Sequence, residues 1–221
     1  MERVLVFLVT VWGVGVAQYY PYCTVPQWEG YQSTYGGIFR EGQVVLDELL
    51  TGVAYDLNNT RLALFTSGTT GGVSRKIDYI YNYQERILYT IEGPTCKKTP
   101  LTEPFKKQCT PKGAVMTWGK TWLGGAGPND ELWIVGFTGQ LNNISYHISF
   151  NQFPIVPVFE TLMGEVDGVS LYQNSNFMNV TVGIKDPAVF TPPPSCKAVA
   201  VEFLFQPPDS STRRSHGILT L

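Results

Sequence analysis

The chain has 221 residues, which is the size of one large domain or two small ones. Hydrophobic residues make up 43% of it and charged residues only 15%, so it has enough apolar material for a core and too little charge for intrinsic disorder. The formal net charge of -2 argues against a nucleic-acid binder, which would need a basic surface to displace counterions from phosphates. With 12 Tyr, 12 Phe, 22 Gly and 15 Pro, the composition favours strands and turns over long helices.

The N-terminus predicts a secretion signal. Residues 4–17 form an apolar stretch after Met1-Glu2-Arg3 that is too short to span a bilayer comfortably. The stretch ends in Gly15 and Ala17, small residues spaced as a signal peptidase site, so we place cleavage after Ala17. A buried N-terminal strand and a signal anchor are the alternatives. No second run of about 18 apolar residues follows, so we expect a soluble, secreted, extracellular product.

Two further features of the sequence favour secretion. Three N-x-S/T glycosylation sequons begin at Asn58, Asn143 and Asn179. The four cysteines (Cys23, Cys96, Cys109 and Cys196) all follow the predicted cleavage site, and in an oxidising compartment they predict two disulfides with three possible connectivities. The sequence has no C-x-x-C pair and only two His, which makes a zinc site improbable.

Short runs of β-branched and aromatic residues recur between Gly, Asn, Asp and Pro, which is typical of an antiparallel sheet protein. The predicted strands are 43–47, 52–56, 61–66, 76–83, 86–92, 131–137, 143–150, 156–161, 169–172, 176–184 and 198–205. Residues 95–112, with four Pro and five Lys, are predicted to form a long loop, and the glycines of 68–72 a hairpin turn. No boundary divides the chain, so we predict one mostly β domain, 18–205, followed by a flexible tail, 206–221.

Two predicted strands alternate clearly. In 143–150, four apolar residues share one face, while the opposite face, which includes His147, is polar and predicted to meet water. The four apolar residues are Ile144, Tyr146, Ile148 and Phe150. In 76–83, Ile77 and three tyrosines form an aromatic ladder, for which we favour cross-strand packing over a role as a cavity wall.

Motifs for catalysis are missing. The sequence has no G-x-S-x-G elbow and no phosphate-binding loop, and its two His are His147 and His216, the second in the predicted tail. A secreted hydrolase that uses His147 as its base is therefore a remote alternative. Four acidic residues could supply oxygen ligands to a weak calcium site: Asp130, Glu131, Glu165 and Asp167. The residues alone thus indicate a secreted β-rich binding or structural protein and not an enzyme.

Three blocks of the sequence resemble the ependymin-related proteins. The segment 182–196, Val-Gly-Ile-Lys-Asp-Pro-Ala-Val-Phe-Thr-Pro-Pro-Pro-Ser-Cys, is similar to the C-terminal signature of that family. The segment 23–30, Cys-Thr-Val-Pro-Gln-Trp-Glu-Gly, resembles its opening block. Between them, 95–105 is similar to the family's cysteine followed by a Thr-x-Pro-hydrophobic element.

The resemblance implies a secreted glycoprotein whose two curved antiparallel sheets form a half-open barrel around an apolar pocket, similar to bacterial lipoprotein carriers. It also implies a homodimer that binds hydrophobic or lipid-like ligands and acts in cell–matrix adhesion. The cofactor that it implies is calcium. The disulfide pairing that it suggests is Cys96–Cys196, which leaves Cys23–Cys109. The sequence lacks the further cysteine near the C-terminus that longer-bridged members carry.

A bent sheet that does not close can bury a lipid tail without any catalytic group. The candidate pocket-lining residues are Trp118, Trp122, Trp133, Val135, Phe137, Tyr146, Ile148 and Phe159. We therefore predict an extracellular-matrix glycoprotein that binds a hydrophobic ligand. The alternative is a structural component of an organic or mineralised matrix that has no specific small ligand.

Overall fold

The structure is a computed structural model that describes residues 21–40, 42–124, 130–166 and 168–196. Eleven strands occur in these residues: β1 (Gln27–Arg40), β2 (Gln43–Asp56), β3 (Arg61–Thr70), β4 (Val73–Asn82), β5 (Ile87–Glu92), β6 (Thr95–Pro100), β7 (Val115–Leu123), β8 (Leu132–Leu141), β9 (Ile144–Asn151), β10 (Val156–Val166) and β11 (Val169–Val182). Two short 3₁₀ turns follow, Pro187–Phe190 and Pro194–Cys196. The predicted signal peptide, the predicted strand 198–205 and the predicted tail lie outside the described residues.

All the strands belong to one antiparallel sheet with the order β6-β5-β4-β3-β2-β1-β11-β10-β9-β8-β7. The mostly β, antiparallel and incompletely closed class is confirmed. Hydrogen bonding is continuous through the β1–β11 pair, so the two predicted sheets are two wings of a single sheet, β1–β6 and β7–β11. The edge strands β6 and β7 do not pair with each other, and the sheet does not close into a barrel.

The strand prediction was incomplete at the centre and at the edges of the sheet. β2 and β11 were each predicted as two short runs, β1 and β7 were missed, and β6 lies inside the predicted loop 95–112. The sequence of β1 is rich in Gly and polar residues, so it has neither the apolar alternation nor the composition of a typical strand. Pairing with neighbours on both sides holds it extended. The hairpin turn predicted at 68–72 is confirmed at Gly71 and Gly72, which join β3 to β4 with positive φ, whereas Gly68 lies within β3.

The sheet curls toward one face, here called the inner face. Eleven strands laid flat would separate the two edges by about 48 Å. Residues 101–114, here called the crossing segment, join β6 to β7 and reach roughly 50 Å only when fully extended. They are not fully extended, because Ala114 N donates to Pro111 O in a turn. The crossing segment can therefore join the edges only if the sheet bends around it.

Two apolar clusters lie on the inner face, one on each wing. The first contains Trp28, Val53, Tyr55, Leu62, Leu64, Tyr79 and Leu88, together with Val156. The second contains Val135, Phe137, Tyr146, Ile148, Phe150 and Leu162. Phe177 of β11 packs against both clusters, and its ring centroid lies 6.0 Å from that of Trp28. The aromatic ladder belongs to the first wing and is packed there, with Tyr79 buried.

The C-terminal part of the described chain covers the opposite, outer face of the first wing. Phe190 and Cys196 pack there against Ala54, Ala63 and Ile80. The Cys96–Cys196 disulfide fixes this segment to β6, and the second disulfide joins Cys23 to Cys109. Both bonds agree with the pairing that the family resemblance implies.

A buried carboxylate joins several segments at the end of the sheet that carries the β2–β3 turn, here called the lower end. Asp56 is fully buried, and it accepts hydrogen bonds from Gln27 Nε2 at 2.9 Å, Asn59 Nδ2 at 2.8 Å and Arg61 Nη2 at 2.6 Å. Burial raises the pKa of Asp56, but the hydrogen bonds from Arg61, Asn59 and Gln27 outweigh it and lower the pKa below its usual value. The Arg61 guanidinium also lies 4.2 Å from the ring centroid of Phe190, which ties the outer segment to the same cluster.

We expect the double variant Cys96→Ala/Cys196→Ala to lose about 3–5 kcal/mol of unfolding free energy. The reason is that the bond closes a loop across a sequence separation of 100 residues and holds the outer segment on the sheet. Guanidinium unfolding followed by circular dichroism measures the change. An unchanged unfolding midpoint would contradict the prediction.

We expect Asp56→Asn to lower the unfolding free energy by about 2–3 kcal/mol at pH 7, because charged hydrogen bonds to Arg61 are lost. A carboxylate with a lowered folded-state pKa stabilises the protein above its unfolded-state pKa of about 3.9, and the contribution disappears as pH falls through the folded-state pKa. The gap between wild type and variant should therefore be constant from pH 7 to about pH 5 and close below about pH 4. Glu92→Gln, at the exposed last residue of β5, is the control, and its unfolding free energy should match that of wild type.

Candidate ligand-binding face

The crossing segment closes the lower part of the inner face. Gln108 is buried at its centre, where its Oε1 accepts a hydrogen bond from Trp28 Nε1 at 2.8 Å and its backbone N–H donates to the Tyr55 hydroxyl at 3.3 Å. Phe105 stacks on Tyr55 with ring centroids 5.5 Å apart. The Cys23–Cys109 bond joins the crossing segment to the chain before β1. The space between the two wings, here called the trough, therefore has a floor at this end.

A band of polar side chains runs across the central strands of the inner face above this floor. Its buried members are Gln32, Thr34, Thr51, Thr66, Glu160, Gln173 and Ser175. Ser175 Oγ accepts hydrogen bonds from Gln32 Nε2 at 3.0 Å and from Gln173 Nε2 at 3.2 Å. Both of its lone pairs are then used, so its own hydroxyl donates to Thr34 Oγ1 at 3.1 Å. Gln32 Oε1 has no hydrogen-bond partner within the described residues.

Sequence reasoning missed the polar band. Gln32-Ser33-Thr34 and Gln173-Asn174-Ser175 are polar at successive positions, so neither segment shows which of its faces is buried. The signal that could have indicated burial is that neither segment contains a charged residue. Only the pairing register, which places Thr34 opposite Ser175, brings the two segments together.

Aliphatic side chains follow the band toward the other, upper end of the sheet. Ile38 of β1 is flanked on the inner face by Val45 of β2 and Leu171 of β11. Ile144 of the second wing lies on the same face, and so does Ile77 of the first wing, which is opposite Thr66 and therefore level with the band. Of these five residues only Leu171 is buried, and the other four are partly exposed. We call these five residues the apolar rim of the trough.

The eight predicted pocket-lining residues fall into two groups. Val135, Phe137, Tyr146 and Ile148 are buried together on the inner face of the second wing. Trp118, Trp122 and Trp133 are exposed on the β7–β8 hairpin, and Phe159 packs beside Trp118 with ring centroids 5.8 Å apart. The structure thus brings together Val135, Phe137, Tyr146 and Ile148 and leaves the tryptophans near an edge of the sheet, where periodicity alone could not place them.

The alternation predicts that the polar face of β9 meets water, but the structure shows this face covered at Ser149 and His147. Ser149 is fully buried, and the His147 ring lies between Trp118, with centroids 4.4 Å apart, and Phe159, at 5.3 Å. Gly136 makes this possible, since a side chain there would collide with the Trp118 ring. Burial lowers the pKa of His147, and its Nε2 has no hydrogen-bond partner within the described residues. A nucleophile paired with this imidazole, which the hydrolase alternative requires, is not found in the described part of the chain.

The three sequon asparagines are all exposed. Asn58 lies in the β2–β3 turn, Asn143 in the β8–β9 turn, and Asn179 at a positive-φ position within β11. Each position leaves room for a glycan in solvent.

The acidic residues considered for calcium are not close together. Asp130 and Glu131 precede β8 at the lower end, whereas Glu165 lies near the upper end of β10. The length of β8 separates them, about 33 Å for ten residues. Asp167 lies outside the described residues, and within those residues no group of three or more His, Cys, Asp or Glu side chains could hold a metal ion. Calcium binding stays a prediction from the family resemblance.

The outer face of the central strands carries exposed apolar side chains. They are Tyr31, Tyr35, Phe39, Leu46, Leu50, Phe65, Met163 and Tyr172, here called the outer patch. The register makes many of them neighbours, as Met163 opposes Tyr172. Gly52 lies between Tyr31 and Phe65, where an added Cβ would be only 3.6 Å from the Phe65 ring and 3.9 Å from the Tyr31 ring, so the glycine leaves the two rings close together. Contiguous exposed patches of this kind mark interaction surfaces.

These features define a two-disulfide, all-antiparallel β protein with a curled, unclosed sheet and a partly exposed apolar trough. No helix in the described residues is long and apolar enough to cross a membrane. The chain belongs to the ependymin family, whose model, Ependymin, matches residues 72–196.

Curated relatives agree with this assignment. The chain is similar to mammalian ependymin-related protein 1 of Rattus norvegicus and of Mus musculus, with 28% identity over 187 residues, 81% of this chain and 78% of each relative. Ependymin-related protein 1 of Haliotis asinina is 28% identical over 156 residues, 66% of this chain and 77% of that protein. None of these names designates a catalysed reaction. A solved structure of an uncharacterized conserved protein from Thermus thermophilus aligns with a TM-score of 0.46 and 11% identity, covering 78% of this chain and 88% of that chain.

Proposed function

We propose that this protein is a secreted, non-enzymatic glycoprotein that binds a hydrophobic or lipid-like ligand in the trough and acts in the extracellular matrix. The observation that carries the proposal is the apolar rim: partly exposed aliphatic residues on the inner face of a sheet that curls without closing. Family membership, the exposed sequons and the two disulfides support the extracellular setting.

The energy available from burial is sufficient for such binding. An acyl chain that buries about 300 Å² of apolar surface gains on the order of 7 kcal/mol before the costs of association, at roughly 25 cal/mol per Å². The crossing segment closes the lower end of the trough, so the ligand enters between the wings from the upper end. No reacting group is needed, because binding and release involve only desolvation.

The outer patch supports a second part of the proposal, a homodimer. A symmetric dimer uses the same surface on both copies, and aromatic and Met side chains such as those of Tyr35, Phe39 and Met163 are enriched in protein interfaces. A second copy placed on this surface leaves both troughs open, because the patch and the trough are on opposite faces of the sheet. A matrix component without a specific small ligand would need only this self-association and the glycans.

We expect Val45→Gln to weaken binding of oleic acid about tenfold or more, because an amide replaces a partly exposed aliphatic side chain in the apolar rim. The measurement is competition of oleic acid with a fluorescent lipid probe, together with native mass spectrometry of the secreted protein for co-purified lipid. Leu46→Gln is the matched control, because it changes the next residue of β2 on the outer face and should bind as wild type does. Equal affinities for both variants, or no lipid binding by wild type, would reject the trough as a ligand site and favour the structural-matrix alternative.

We expect Leu50→Lys to convert the dimer to a monomer, because a charge is placed in the outer patch where it would be desolvated. Light scattering during size-exclusion chromatography gives the mass of each species. Val73→Lys, at an exposed hairpin position next to the β3–β4 turn, is the control and should leave the dimer intact. A wild type that is monomeric at micromolar concentration, or a Leu50→Lys variant that remains dimeric, would refute the homodimer.

A further inference from the structure

A cleft of about 300 Å³ lies at the lower end of the β7–β8 hairpin, beside the turn that joins β9 to β10. Its lining includes Lys120, Glu131, Trp133, Asn151, Gln152 and Phe153. All of these residues are described, and none belongs to the apolar rim of the trough. This volume is at the small end of the range for ligand sites and is enough for one or two sugar rings.

Aromatic rings are unusually exposed at this cleft. The exposed fractions are 81% for Phe153, 56% for the adjacent Trp122 and 38% for Trp133. Trp122 packs edge-on against Trp133 with ring centroids 5.9 Å apart, which fixes the Trp133 plane. Aromatic surfaces open to solvent are the surfaces on which a ligand with an apolar face can stack, and Phe153 is the most exposed of these rings.

Amide groups border the aromatic surface and are held in place by the turn. Asn151 Nδ2 donates to Phe153 O at 3.2 Å, and Asn151 Oδ1 accepts from Gln152 N at 3.0 Å. The same Gln152 N–H also points to Trp133 O at 2.9 Å, so the turn is tied directly to the tryptophan strand. The side-chain amide of Gln152 makes no hydrogen bond within the described residues. It offers one acceptor and two donors beside the rings.

The charges at the cleft favour neither a cation nor an anion. Lys120 and Glu131 contribute one charge of each sign, so the lining is electrically balanced. The Lys120 ammonium lies over the Trp133 ring, 4.6 Å from its centroid, so it occupies that face of the ring and leaves Phe153 as the open stacking surface. A charged ligand of either sign would meet one like and one opposite charge, Lys120 and Glu131, so the lining offers no net electrostatic attraction to a cation or an anion.

We propose that this cleft binds a neutral saccharide. A sugar ring has an apolar C–H face that stacks on an aromatic ring, and its hydroxyls at the ring edge exchange hydrogen bonds with amides such as that of Gln152. The site is separate from the trough, so it does not depend on the lipid-like ligand. It gives the protein a direct means to contact glycans outside the cell.

The test uses the full secreted chain after enzymatic removal of its own N-glycans, so that they cannot occupy the cleft. Chitobiose, lactose and maltose are the neutral probes, and tetramethylammonium and galacturonate are the charged comparators. Binding is followed by tryptophan fluorescence and by saturation-transfer NMR. We expect saturable binding of at least one neutral disaccharide, with a dissociation constant on the order of millimolar.

Two variants locate the binding. Phe153→Ala removes a stacking ring that is almost fully exposed, and Gln152→Ala removes the unused amide. Each should weaken disaccharide binding about tenfold. Val73→Ala, an exposed position outside both the cleft and the outer patch, should bind as wild type does, and melting temperatures confirm that all three variants are folded.

The saccharide assignment is overturned if no neutral disaccharide binds, if both cleft variants bind as wild type does, or if a charged comparator binds more tightly than any neutral sugar. These outcomes are independent of the oleic acid experiment, because that experiment reports on Val45 at the rim.

Discussion

The antiparallel pairing of β1 with β11 sets the geometry of the molecule. It runs from Trp28 opposite Val182 to Phe39 opposite Ser170 and joins two meanders that would otherwise be separate sheets. Because the first and last strands meet at the centre, β6 and β7 become the edges, and the crossing segment between them must bridge the whole sheet. The curl, the trough and the closed lower end all follow from that one connection.

The centre of the sheet is held by hydrogen bonds as well as by apolar packing. Gln32, Thr34 and Ser175 are buried where β1 and β11 meet, and burial of such groups is costly unless they are paired. The Ser175 hydroxyl satisfies three neighbours at once, which limits the cost and fixes the register of the central strands. A one-residue shift of β1 against β11 would separate these partners.

The two faces of the sheet and its lower end present three chemically different surfaces. The inner face is a trough with an aliphatic rim around Ile38, the outer face is an aromatic and aliphatic patch around Tyr35, and the β7–β8 end is an aromatic and amide cleft beside Trp133. Strand alternation separates the first two, since successive side chains point to opposite faces. The third lies beside β7, which is the edge strand of the sheet in the described residues.

The sequence by itself determined the secondary-structure class, the β3–β4 hairpin turn and the apolar face of β9, because composition, glycine pairs and period-two alternation are local signals. Three short motifs were enough to indicate the family, and the resemblance then implied which of the three possible disulfide pairings forms. The order of the strands, the polar band at Gln32 and Ser175 and the enclosure of His147 by Trp118 depend on contacts between residues far apart in the chain. Tertiary structure alone decided these, because a polar or aromatic residue has the same local pattern whether its partner lies in the next strand or at the other end of the sequence.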